Sequence, residues 1–368
     1  MRGGMWGACR QVLATQALLL VLIRSAAGFV GPSLSPPGGL DPKDTPQFVI
    51  FTHDDAIMQD TYNAMTSVTN GQASLDGCPA VATMFTLVTG TDCELAVKLF
   101  DAGYEIADHT ITHRSVKGVP AAQLEKETVG ARSQIAECGI PEGDIVGFRA
   151  PYLETDIALR KELYTNGFLY ESSIIEPTNG DSVSQGQGKR VWPFQMDKGV
   201  PIDCSYFDTE QCSTSERWPG MWEVPVWWLT KDGTENGTPY SMDYGDNTDA
   251  YSLLKANFDA AYSGNRAPLP IFIHTPWLTS GTNLAGVKKF VGYALSKPNT
   301  YLVTIRQLLA WMENPVPASQ LTPEILGCGN PGGAGGSDVA AAPSPAEGPS
   351  PGAAPAPAPQ ASRRLLKA

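Results

Sequence analysis

The chain has only four histidines, and each stands where chemistry is plausible. His53 precedes an acidic pair, Asp54 and Asp55, at the end of the apolar run FVIFT. His109 and His113 are four residues apart in HTITH, and His274 ends the run PIFI. Two adjacent carboxylates after a buried strand are costly unless both are used or exposed. On a strand they point to opposite sides, so they should play different parts. His109 and His113 share a face if their segment turns helically, and can then bind one ion. One carboxylate with two imidazoles leaves positions open for water and substrate, a donor set typical of catalytic zinc. The other carboxylate is then free to act as a base. The bland alternative is two surface histidines and a capping aspartate, and a lone HxxxH arises often by chance. The acidic pair and the use of every histidine favour chemistry.

These residues need strands to deliver them. Residues 47–52 form a buried apolar run that should carry the acidic pair at its C-terminal end. Periodicity predicts a helix at 58–69, a strand at 80–88 and a helix at 92–101 capped by Asp92. A short strand at 104–107 leads into the histidine pair. Residues 120–138 read as one helix, 145–148 as a strand ending at Arg149, and 156–166 as a helix stopped by Gly167. The strand 270–273 ends at His274, and Ile305, Leu308, Leu309 and Met312 mark an amphipathic helix. Polar residues at the C-terminal ends of alternating strands and helices predict an α/β class fold, a distorted (β/α) barrel.

Composition bounds the rest. A 42% hydrophobic, 17% charged chain is globular in type, and a net charge of −12 argues against nucleic acid or an anionic membrane as partner. Residues 1–27 follow the charged, apolar, small-residue order of a signal peptide, predicting a secreted protein with no membrane segment after cleavage. Residues 28–46 read as an extended linker, 47–316 as the catalytic domain and 317–328 as a C-terminal extension. Residues 329–368, rich in Ala, Pro and Gly, read as a disordered tail. Asn236 begins an Asn-Gly-Thr glycosylation triplet. Loss of Cys9 with the signal leaves six cysteines. Cys204 and Cys212, flanking a short polar loop, are the expected pair, and the strand between Cys78 and Cys93 should keep those two apart.

The motifs resemble those of the polysaccharide deacetylases of carbohydrate esterase family four, most closely the chitin deacetylase-like branch. Thr52-His53-Asp54-Asp55 resembles that family's Thr-Phe-Asp-Asp, His109-Thr110-Ile111-Thr112-His113 its His-Ser/Thr-x-x-His, and Arg149-Ala150-Pro151-Tyr152 its Arg-x-Pro-Tyr/Phe. Ile271-Phe272-Ile273-His274 resembles the strand that ends in its acid histidine. The resemblance runs over residues 47–315. It implies that Asp54 is the general base, that Asp55, His109 and His113 bind Zn2+ or another divalent ion such as Co2+, and that Arg149 holds Asp54 ionised. It implies further that the Tyr152 N–H helps to stabilise the oxyanion, that His274 is the general acid and that Trp192 lines the acetyl pocket. Substrate would meet Trp192, Tyr152 and Trp277; most of the tryptophans at 218–228 read as barrel packing, while Trp218, Trp228 or Trp277 has the apolar area to stack on sugar faces.

Two departures stand out. His53 replaces the usual phenylalanine. Glu171 stands in a phrase usually written Tyr-Asp-Ser-Ser, so the acidic partner of His274 is Glu171, Asp197 or neither. The implied activity is metal-dependent removal of N-acetyl groups from chitin or other N-acetylglucosamine polymers, in the extracellular space or a cell wall. The rivals are an O-acetyl esterase on xylan-like polysaccharide, a catalytically silent glycan-binding wall protein, and a non-haem iron oxygenase sharing the ligand types.

Overall fold

The computed structural model describes residues 30–177, 186, 188–206, 208–231, 233, 239–240, 242–244 and 249–333. The expected signal peptide, the glycosylation triplet and residues 334–368 of the expected tail lie outside them. The strands are β1 (Gln47–Asp55), β2 (Thr83–Thr86), β3 (Glu105–Asp108), β4 (Gly147–Phe148), β5 (Tyr170–Glu171), β6 (Ile175–Glu176), β7 (Phe194–Met196), β8 (Trp218–Glu223), β9 (Val226–Trp227), β10 (Leu229–Thr230), β11 (Pro239–Tyr240), β12 (Leu269–Ile273) and β13 (Thr300–Val303). The helices are α1 (Gln59–Thr69), α2 (Cys93–Asp101), α3 (Ala121–Glu127), α4 (Val129–Glu137), α5 (Ile157–Thr165), α6 (Ala250–Ser263), α7 (Thr275–Thr279), α8 (Asn283–Leu295), α9 (Ile305–Glu313) and α10 (Pro323–Leu326).

β1 is the axis of the fold. Eight of its nine residues are buried, as a strand covered on both faces requires. One edge pairs with β12 through Val49–His53, while the other pairs with β13 at Gln47–Ile50 and with β2 at Thr52–Asp55. The main sheet runs β12-β1-β2-β3-β4-β5-β8-β7, parallel except for the β7–β8 pair. It curls into a half-barrel. β6 and β9 extend the lines of β5 and β8, pair with each other, and bring β9 against β12. An apolar cluster of Leu153, Ile175, Val226 and Phe272 fills that seam. The expected barrel is thus closed on this side by side-chain packing.

The helical expectations hold with one revision. Asp92 accepts from the N–H groups of Glu94 and Leu95 at the start of α2, and Asp156 caps α5 through the Leu159 N–H. Thr304 and Gln307 form a reciprocal cap on α9, whose expected apolar residues are all buried. The single helix expected over 120–138 is two helices, α3 and α4, broken at Thr128, where φ is −105° and ψ −76°.

Both flanks of the barrel are more structured than composition suggests. Residues 28–46 were expected as a linker; from Val30 onward they form a strap. Its Val30 and Ser33 carbonyls accept from the Gln195 and Trp192 N–H groups. At the other end Pro331–Gly333, inside the expected tail, form a turn with two buried glycines. A Cβ on Gly332 would sit 2.3 Å from Phe100, so only glycine allows that approach. Disulfides join Cys78 to Cys328, Cys93 to Cys138 and Cys204 to Cys212. The last is the expected pair, and Cys78 and Cys93 are indeed unpaired with each other. Among the described residues no helix is long and apolar enough to cross a membrane.

Candidate metal centre and acid–base site

The C-terminal ends of β1, β3, β4 and β12 converge on one site. Backbone strain marks it without reference to any motif. Of the eight non-glycine residues with positive φ among those described, Asp55, Thr110, His113, Tyr152, Leu153 and Asp243 belong to it. Such conformations cost of order 1–3 kcal/mol each and persist where surrounding contacts over-determine them.

Asp54 faces the barrel interior. Its Oδ1 accepts from Arg149 Nη1 at 2.7 Å, and both side chains are buried. Arg149 also donates to Thr52 Oγ1 and to the carbonyl and hydroxyl oxygens of Ser172. Its guanidinium lies 3.9 Å from the Phe85 ring centroid and 4.2 Å from that of Phe272. Burial alone would raise the Asp54 carboxyl, but Arg149, His109 and His274 together hold it below the usual range, so it stays ionised.

Asp55, at the end of the strand, turns the other way. One oxygen of Asp55 and one ring nitrogen each of His109 and His113 lie within 4.8 Å of one another. Asp55 Oδ1 is 3.2 Å from His113 Nε2. The histidines are not on a helix. Left-handed residues at Thr110 and His113 fold the segment into a tight loop that brings the rings to a centroid distance of 5.1 Å. His109 Nδ1 is 2.8 Å from the Arg149 carbonyl. A carbonyl only accepts, so Nδ1 carries the proton and the Nε2 lone pair is free for a ligand. Burial lowers the His109 pKa and keeps the ring neutral. The donor set, the tautomer and the clustering fit a divalent cation.

The loop is held from below by a residue the sequence reading missed. Glu127, buried at the end of α3, accepts from the N–H groups of Ile111 and Thr112 and from the Thr112 hydroxyl. Its signal was an acid three residues after buried Leu124 and four before buried Ala131, on the apolar face of its helix.

His274 is held by Asp243, which was also missed. The Asp243 carboxylate accepts from the His274 backbone N–H at 2.8 Å and bonds Nδ1 at 2.6 Å. Of the alternatives Glu171, Asp197 or neither, the last therefore holds. Glu171 is buried against Thr155 and Arg160, and Asp197 accepts from the Gly220 N–H. Burial works against the charged ring, but the Asp243 bond and the charges of Asp54 and Asp55 outweigh it, raising the His274 pKa to about 9. The Nε2 atom is 3.9 Å from Asp55 Oδ2, so the ring faces the same space as the cluster.

Of the expected substrate contacts, Tyr152 is 62% exposed and sets its ring edge-on to His113 at 4.7 Å. Trp277 is mostly buried against Tyr244, three residues past His274. Trp192 is elsewhere. Its indole N–H donates to the Asn265 carbonyl, before β12 begins, and its ring packs on Trp311. It lines a cavity of about 380 Å³ with the strap, Glu313 and Pro315, at the N-terminal end of the strands. The structure does not place Trp192 beside the Asp-His-His cluster, as an acetyl pocket there would need: the strap, Trp311 and the residues before β12 hold it instead.

A parallel α/β half-barrel presenting an ionised carboxylate, an Asp-His-His cluster and a protonated histidine at its strand ends defines a hydrolase-type site. Residues 41–170 match the family described as polysaccharide deacetylase. The chain is 27% identical over 293 residues to chitin deacetylase 8 of Bombyx mori, covering 76% of this chain and 74% of that one. It is 29% identical over 300 residues to chitin deacetylase 1 of the same organism, covering 76% of this chain and 53% of the relative, about half its length. Among solved structures, a family 4 carbohydrate esterase from Streptomyces lividans is similar at 18% identity and TM-score 0.41, covering 70% of this chain and 93% of that one. A peptidoglycan deacetylase from Bacillus subtilis is similar at 14% identity and TM-score 0.41, covering 73% and 92%. Residues 41–170 thus carry a polysaccharide deacetylase domain, and deacetylases of that family are hydrolases acting on carbon–nitrogen bonds.

Proposed function

We propose that this protein is a secreted, divalent-metal-dependent deacetylase that removes N-acetyl groups from N-acetylglucosamine polymers, chitin first. The observation that carries the reading is the convergence of the Asp54–Arg149 pair, the Asp55-His109-His113 cluster and the His274–Asp243 pair at one end of the barrel. Its substrate class is supported by the chitin deacetylases of Bombyx mori, and secretion by three disulfides.

Asp55, His109 and His113 would hold a divalent ion such as Zn2+ or Co2+, which when bound supplies Lewis acidity and makes water a stronger acid. Asp54, ionised and with its second oxygen free of Arg149, takes the proton from the attacking water. Arg149 orients that carboxylate and keeps it from drawing a proton at rest. As the C–N bond breaks, the His274 ring gives its Nε2 proton to the departing amine. Asp243 holds Nδ1 and so turns Nε2 toward the reacting atoms. Water and acetamide become acetate and amine, with every proton accounted for. Tyr152, exposed beside His113, contributes its backbone N–H to the oxyanion and its ring to the sugar. Trp277, three residues past His274, is the second aromatic the sugar would meet.

The test is acetate release from chitin oligomers and from acetylated xylan, with added zinc, after chelation, and for Asp54→Ala. Chelator-sensitive release from chitin oligomers, abolished by the substitution, is expected. Release only from xylan moves the protein to the O-acetyl esterases. No release from either polymer, with metal still bound, makes it a glycan-binding protein.

A further inference from the structure

His53 is the one histidine the proposed mechanism does not use, and it stands where the resemblance has phenylalanine. It lies on β1 between Thr52 and Asp54, so its side chain points away from the interior, into the helical layer. There it is 1% exposed. Nε2 is 3.1 Å from the Thr275 backbone nitrogen and 2.7 Å from Thr275 Oγ1, and that hydroxyl is 3.0 Å from Thr61 Oγ1. Thr275 is the first residue of α7 and follows His274 directly. Thr61 is on α1. One imidazole therefore ties the strand that carries Asp54 and Asp55 to the residue next to His274 and to the helix beneath both.

The chemistry of the ring is determined by its partners. A backbone N–H can only donate, so Nε2 must be unprotonated, and a neutral ring then carries its proton on Nδ1. Nδ1 is buried with no partner among the described residues. A buried donor without a partner is destabilising. A phenylalanine would avoid that cost and fill a similar volume, but would leave the Thr275 N–H without an acceptor. The histidine is thus a poor choice for packing alone and a good one for holding Thr275.

We propose that His53 is a positioning residue for His274: by accepting from Thr275 it sets the start of α7, and with it the acid imidazole, relative to the carboxylates on β1. Asp243 holds the His274 backbone and ring from one side, and His53 holds the next peptide from the other. The inference rests on the assignment of His274 as proton donor.

The experiment compares His53→Phe, His53→Gln and His53→Asn as full-length protein. Glutamine places an acceptor near the position of Nε2; asparagine is too short to reach Thr275. His53→Phe and His53→Asn should lower kcat on chitin oligomers roughly ten- to a hundredfold, with KM and zinc content unchanged, the scale of a slightly misplaced catalytic group. His53→Gln should recover most of that loss. Tm of His53→Phe should change little, since one unpartnered donor is exchanged for another. A second readout needs no turnover. With only four histidines, ring-15N labelling resolves His274, and its Nδ1 proton, held by Asp243, should broaden or exchange faster in His53→Phe and His53→Asn but not in His53→Gln. Wild-type kcat and an unchanged His274 signal in His53→Phe overturn the proposal. So does a His53→Gln variant as impaired as phenylalanine with an equal drop in Tm, which makes the residue a packing element only. If the native protein releases no acetate from any polymer, the functional reading falls and the His274 signal still decides the positioning. Should His53→Phe fail to fold, the glutamine–asparagine pair decides it alone.

Discussion

Two buried clusters of charge sit on opposite sides of β5, and they are balanced differently. In the site, one carboxylate, Asp54, meets one guanidinium, Arg149, which also donates to Thr52 and twice to Ser172. Beyond β5, Arg160 pairs with Glu171 and Glu216, while Glu210 and Glu223 lie near them with no ion pair of their own among the described residues. Burial, chiefly, raises Glu210 to about 8 and Glu223 well above the usual range, and Glu171 adds to both. The first arrangement keeps a carboxylate charged out of water, as a base requires. The second lets surplus carboxylates keep their protons and serve as neutral hydrogen-bonding groups. Burial is common to both; the count of cations decides the outcome.

The sharpest way to break the matched cluster is Asp54→Asn. It should retain metal and fold but lose turnover by about 10²–10⁴-fold, as for removal of a general base, read by acetate release beside zinc content. Arg149→Met strands the carboxylate instead. Denaturant unfolding should show a loss of about 3–5 kcal/mol, the cost of leaving one buried charge unpaired, and activity should fall with it. Glu127→Ala leaves both charge clusters intact and loosens only the histidine loop. Zinc titration should show about 10–100-fold weaker binding, with Tm in the presence of excess zinc little changed.

His274 adds a pH test. With its pKa near 9, kcat should fall on the basic side as the ring loses its proton, and Asp243→Asn should move that limb downward because the bond that raises the pKa is weakened. The smallest effect belongs to the unmatched cluster. Glu210 binds its proton more tightly folded, about 8, than unfolded, near 4.5, so its contribution is complete below 4.5 and is lost as pH rises through 8. Tm measured from pH 5 to 9 should decline on that account, and Glu210→Gln should flatten the decline without touching kcat.

The strand that carries Asp54 and Asp55 was legible because β1 is buried on both faces and its apolar run is continuous. The helices at α2, α5 and α9 were legible because caps and periodicity are local signals. What escaped depends on contacts distant in sequence. Asp243 reaches His274 from 31 residues upstream, out of a stretch with no periodicity. The histidine pair was read through helical spacing, yet positive φ at Thr110 and His113 does the work, and no side chain announces that. Trp192 was read from its phrase, but Ser33, Asn265 and Trp311, all distant in sequence, decide where its ring lies. The strap at 30–46 is rich in proline and glycine, and only its pairing with Trp192 and Gln195 makes it part of the barrel.

The Cys78–Cys328 bond joins residues 250 positions apart. In covalent terms most of the domain is a ring with two arms, the first of which carries β1 and α1. A protease that cuts one loop within that ring opens it but releases nothing: the nicked protein keeps its mass until a reductant is added, and its two pieces cannot diffuse apart. A single cut within the ring is therefore damage the molecule can outlast for as long as the disulfide stays oxidised.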